Sequence, residues 1–198
     1  MNRNYFQTPP VVLNLIIINV LIFMATALLP KAGNTIMEYC ALSLGTPFFH
    51  VYQFITYVNF EHIFFNMFAL WMFGRTLEYE LGQKRFLTYY MVCGIGAALI
   101  QYLTALAFGE FPLVLVGASG AVMGLLLAFG VLHPNAVIML LIPPIPMKAK
   151  WFVVIYGVIE LFLGWRGVGN VAHFAHVGGM LWGFLLLQWW KQRGIIRF

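Results

Sequence analysis

Ser119 is one of only two serines in the 198-residue chain, and it stands among small residues in Gly117-Ala118-Ser119-Gly120-Ala121. A serine hydroxyl becomes a nucleophile when a neighbouring base takes its proton, and histidine is the side chain whose ordinary titration range suits that task near neutral pH. His176 is the candidate base, able to return the proton to a leaving amine; His173, one helical turn earlier, is its rival. The backbone N–H of Ser119 and the side chains of His62 and Asn66 are candidate donors to the oxyanion of a tetrahedral intermediate. The chain has no Asp, and of its six Glu only Glu160 lies well inside an apolar run. Glu160 reads as a structural or helix-pairing residue, so the expected machinery is a Ser-His dyad performing acyl transfer.

The elements that must position these residues are membrane helices. Of the residues 62% are hydrophobic and 9% charged, far from the roughly 25% charged make-up of a soluble domain. Apolar runs long enough to span a bilayer recur at about 11–29, 57–75, 86–108, 114–132, 150–165 and 171–190, which predicts an all-α polytopic bundle of six transmembrane helices forming one domain over residues 1–198. Net charge is +5, yet the basic residues sit at segment ends and form no basic face, which argues against nucleic acid as a partner. With the N-terminus inside, Arg3, Arg75, Lys84, Arg85, Lys148, Lys150, Lys191, Arg193 and Arg197 collect on one side, and only Lys31 and Arg166 on the other. The positive-inside rule then puts both termini in the cytoplasm. Cys40 and Cys93 are isolated thiols that suggest neither a disulfide framework nor a metal site. No cofactor is expected.

In this topology the second, fourth and sixth spans all run from outside to inside. At 1.5 Å per residue, Ser119 lies roughly 10 Å below Pro112, His176 roughly 9 Å below Asn170 and Asn66 roughly 10 Å below Asn59, with His62 a turn above Asn66 on the same face. Three helices thus present polar residues at one depth. Simpler roles exist for each: Gly120-x-x-x-Gly124 suits close helix packing, and a lone intramembrane His or Asn can bridge helices. A metal or haem site built from His62, His173 and His176 is a competing reading, though it leaves Ser119 unexplained.

Gly117-Ala118-Ser119-Gly120 resembles the Gly-x-Ser-Gly of rhomboid intramembrane serine proteases, and Ala175-His176-Val177-Gly178-Gly179 with Gly183 is similar to their Ala-His-x-x-Gly-x-x-x-Gly helix. His62-Ile63-Phe64-Phe65-Asn66 looks like their His-x-x-x-Asn, followed by Trp71-Met72-Phe73-Gly74-Arg75 and Glu78. The resemblance covers about residues 45–185 and implies the bacterial six-helix core form, an endopeptidase that cuts transmembrane protein substrates near the outer face. It further implies close packing around the dyad at Gly117, Gly120, Gly179 and Gly183, with Gly179 letting the sixth helix approach the fourth. A catalytically inactive scaffold that binds transmembrane clients is the alternative within the same family. Tyr52-Gln53 departs from the Trp-Arg of many members, and Met123 from the aromatic that some members stack on the histidine. Without a targeting extension, the expected location is a bacterial plasma membrane, with the lipid bilayer and transmembrane substrates as partners and the oligomeric state open.

Overall fold

The computed structural model of the chain describes residues 7–29, 42–44, 60–109, 113–115, 118–139, 144–167 and 172–198. In chain order the elements are α1 (Pro10–Leu28), β1 (Leu42–Leu44), α2 (Phe60–Ala69), a π turn (Leu70–Gly74), α3 (Arg75–Leu81), α4 (Gln83–Phe108), β2 (Leu113–Leu115), α5 (Ser119–Leu132), β3 (Val137–Met139), β4 (Pro146–Lys148), α6 (Ala149–Arg166) and α7 (His173–Gln192). Helix predominates because an apolar medium offers backbone amides no water, so each segment must satisfy its own hydrogen bonds. Among the described helices, α1 and α4 are long and apolar enough to cross a membrane, and α5 is a shorter apolar helix. α1 buries only Val12 and Asn19 and leaves Ile17, Leu21 and Leu28 exposed. α6 likewise exposes Trp151, Val154, Val158 and Phe162. Such apolar exteriors suit lipid rather than water.

Contacts divide the chain into two compact units, Met1–Thr88 with Ala105–Ala118, and Tyr89–Thr104 with Ser119–Phe198. In the first, α1 begins with Pro10 in its first turn and has no side-chain cap of its own. Glu78 of α3 supplies one from a distance: its carboxylate accepts the backbone N–H of Val11 at 3.0 Å and of Val12 at 2.7 Å. Pro9 and Pro10 carry no N–H, so these two are the donors that the helix start leaves open, and the buried carboxylate is satisfied in return. Trp71 Nε1 donates to the Thr8 hydroxyl at 3.3 Å, and the Tyr79 hydroxyl donates to the Gln7 carbonyl. The second apolar run was expected to end near residue 75; instead it continues through the π turn to Leu81. In the same unit β1 and β2 pair antiparallel, Leu42 opposite Leu115 and Leu44 opposite Leu113.

In the second unit α7 packs against α5 and α6, and β3 and β4 form an antiparallel pair with Val137 opposite Lys148. Glycines set the approach of the helices. A Cβ on Gly179 of α7 would collide with the Gly120 carbonyl of α5, and one on Gly120 would collide with Ala97 of α4 and lie 3.3 Å from the Ala175 carbonyl. Gly183 makes room for the Tyr89 ring, and Gly124 for Cys93. The Tyr89 hydroxyl, fully buried, donates to the Gly124 carbonyl at 2.9 Å. Small residues at helix crossings permit this closeness.

One expectation changes here. The run at 114–132 is not helical from its start: residues 113–115 are strand and α5 begins at Ser119. α7 likewise begins at His173. Ser119 and His176 therefore occupy the first turns of their helices, and the depth taken from residues Pro112 and Asn170 as helical rise does not apply.

Candidate active site

His176 Nε2 and Ser119 Oγ are 2.9 Å apart, within hydrogen-bond reach. Two features of the sequence bring this about. Ser119 opens α5 directly before Gly120, and the Gly120–Gly179 crossing draws the opening turn of α7 against it. His176 lies one residue after Ala175, whose carbonyl a Cβ on Gly120 would approach. The α7 start is held from a third helix: the buried Gln101 of α4 accepts the Ala175 N–H with its Oε1 at 3.0 Å. Ala175 is the third residue of α7, so this N–H has no partner inside the helix. Ser119 is partly exposed, whereas His176 is buried.

On the far side of the histidine stands Glu160. Its Oε2 lies 2.7 Å from His173 Nδ1 and 3.0 Å from His176 Nδ1. The first contact has hydrogen-bond geometry; the second is close enough for an ion pair but lies off the hydrogen-bond direction, which leaves His176 Nδ1 buried without a hydrogen-bond partner. Gly157, Glu160 and Gly164 recur on the face of α6 that meets α7: Gly157 faces Met180, and a Cβ on Gly164 would sit 3.2 Å from that of His173. The missing side chain at Gly164 brings the α7 start within reach of Glu160, one turn earlier on α6.

Glu160, read as a structural or helix-pairing residue, does join α6 to α7, and the structure adds that it does so through the two histidines. Sequence spacing gives it no signal, because 16 positions of chain and a turn separate it from His176. The available clue was its isolation, since a carboxylate inside an apolar helix requires a partner, and two of its partners are histidines one turn apart. Gln101 was missed for a similar reason. His173, weighed as a rival base, contacts the same carboxylate, while the histidine that meets Ser119 is His176.

Because Ser119 is the first residue of α5, the N–H groups of this turn are open and positively polarised, able to receive a negative oxygen. His62 and Asn66 belong to α2 in the first unit, where Asn66, buried, donates its Nδ2 to the His62 carbonyl at 2.8 Å. Of the four expected packing glycines, Gly120, Gly179 and Gly183 each sit where a side chain would collide with a neighbouring helix. Gly117 lies outside the described residues, as do Tyr52 and Gln53.

Comparison with known proteins adds a second line of observation. The Rhomboid domain family matches residues 48–191. The chain is 31% identical to Rhomboid protein 1, mitochondrial, of Saccharomyces cerevisiae, over 96% of this chain and 56% of that protein. It is 27% identical to the human presenilin-associated rhomboid-like protein, mitochondrial, over 92% of this chain and 50% of that protein, and 28% identical to the rhomboid protease GluP of Bacillus subtilis, over 66% and 23%. The chain thus spans about half or less of the length of these relatives. The expected bacterial plasma membrane is corrected by these matches, since the relatives aligned over nearly the whole chain are mitochondrial. The expectation had rested on the lack of a leader, which carries no weight for a chain that covers only part of its relatives.

Proposed function

Because the chain belongs to the rhomboid family, with an all-α membrane fold, we propose that it is an intramembrane serine endopeptidase acting on transmembrane protein substrates. The observation that carries this reading is the 2.9 Å approach of His176 Nε2 to Ser119 Oγ. His176 takes the Ser119 proton as Oγ attacks the substrate carbonyl, then delivers it to the leaving amine. For Nε2 to accept, the single ring proton of neutral His176 must sit on Nδ1, where Glu160 Oε2 faces it. Glu160 thereby favours the reactive tautomer and stabilises the imidazolium that forms. The open N–H groups at the start of α5 receive the oxyanion; the candidacy of His62 and Asn66 as further donors rests on their sequence pattern.

In this reading residues 1–198 form one domain of six spans, with both termini on the side that collects the basic residues. The family match runs through both compact units, in support of a single domain. The names of the relatives support a mitochondrial membrane as its location.

Ser119→Ala and His176→Ala are each expected to reduce cleavage of a membrane-tethered substrate by on the order of a thousandfold or more while the protein stays folded. Purified wild-type protein should also label at Ser119 with a fluorophosphonate, which needs an activated hydroxyl. Full cleavage by either variant would refute the assignment, and a folded wild type that neither labels nor cleaves would favour the scaffold alternative.

A further inference from the structure

We propose that Glu160, His173 and His176 form a binding site for a divalent ion of the zinc type, and that filling it switches off the Ser119–His176 pair; the second part rests on the protease reading above. Each of the three residues offers one ligand atom within 4.8 Å of the other two, and the Nδ1 atoms of both histidines face the carboxylate. Glu160 Oε2 stands 2.7 Å from one nitrogen and 3.0 Å from the other. Around a tetrahedral zinc, with bonds of about 2.0–2.2 Å, neighbouring donors are about 3.3–3.6 Å apart. Seating the ion therefore needs the carboxylate oxygen to draw back from the nitrogens by about 0.3–0.9 Å and the widest donor pair, up to 4.8 Å apart, to close by about 1.2–1.5 Å; the carboxylate offers a second oxygen to help. His173 and His176 meet nearly at right angles, 87° between rings, so their nitrogens converge on the carboxylate from different directions.

Two further features point to a ligand. His176 Nδ1 is buried without a hydrogen-bond partner, and a metal bond would satisfy it. Two imidazoles and a carboxylate also match the donor set that zinc favours, whereas calcium and magnesium prefer oxygen alone. Three protein ligands leave a fourth position for water.

The effect on the serine follows from counting protons. A neutral imidazole carries one N–H and one lone pair. A metal on Nδ1 takes the lone pair there, so the ring proton moves to Nε2, the nitrogen facing Ser119 Oγ. Nε2 then donates to the hydroxyl and can no longer accept its proton. Zinc does not enter the peptidase step; it holds His176 in the unreactive tautomer.

The test uses the purified full-length chain in detergent micelles, with cobalt(II) as the spectroscopic substitute for zinc. The expected result is visible d–d absorption saturating near one equivalent, abolished by zinc, and binding at least about tenfold weaker in His173→Ala and in Glu160→Gln. Zinc at saturation should slow fluorophosphonate labelling of Ser119 by about tenfold or more, with recovery on adding a chelator. No absorption in the wild type overturns the site, as does undiminished binding in both variants or a thiolate charge-transfer band placing the ion on a cysteine. Binding with unchanged labelling overturns the switch. Labelling absent with and without zinc refutes the protease reading and leaves the site to be judged by cobalt absorption alone.

Discussion

Gly179 of α7 lies so close to Gly120 of α5 that a Cβ on Gly179 would overlap the Gly120 carbonyl. The obstacle is backbone, which cannot swing away as a side chain can. Gly179→Ala must push the two helices apart, and with them His176 and Ser119. It is expected to lower stability by roughly 1–3 kcal/mol and to reduce cleavage at least tenfold. Thermal unfolding in detergent and a substrate-cleavage assay measure the two effects; a variant as stable and active as wild type would refute the crossing.

Glu160→Gln keeps the size of the side chain and removes its charge. If Glu160 orients His176, kcat should fall by about tenfold to a hundredfold, with KM and the unfolding midpoint little changed. A purely structural role would move the midpoint and spare kcat in the molecules that remain folded, so the two readouts separate the explanations.

Gln101→Leu is nearly the same size but leaves the Ala175 N–H unpaired in a buried position, at a cost of about 1–3 kcal/mol. Because Ala175 adjoins His176, kcat should also fall. Gln101→Glu retains an acceptor oxygen and should recover most of the lost activity. Equal activity of the Leu and Glu variants would show that the bond does not position the histidine.

Glu78→Ala removes both acceptors for the first turn of α1. Loss of the cap is expected to destabilise the protein by roughly 1–2 kcal/mol, seen as a lower unfolding midpoint. Reactivity of Ser119 toward a fluorophosphonate in the folded fraction should persist.

The helices were legible because hydropathy alone marks segments that lipid can accept, and each of the six apolar runs contains one. Their ends were not. Leu113-Val114-Leu115 reads as part of an apolar helix, but pairing with residues 42–44 makes it a strand, and no local pattern reports a partner some seventy positions away. The pairing of Ser119 with His176 was legible from residue chemistry and glycine spacing. The depth argument that also led to it was faulty, since neither residue lies deep in a helix. Glu160 could not be placed because its role depends on how α6 meets α7, which Gly164 decides through the side chain it lacks.

The π turn at Leu70–Gly74 also changes how positions along its helix relate. At about 100° per residue, an unbroken α-helix would set Glu78 about 120° around from Asn66. A π turn takes in one residue more than an α turn, which brings the two to within about 20° of a common line. Both are buried polar residues, one hydrogen-bonded within α2 and the other capping α1. The inserted residue acts as a phase correction: it brings a buried amide and a buried carboxylate, about three turns apart, onto nearly one line of the rod.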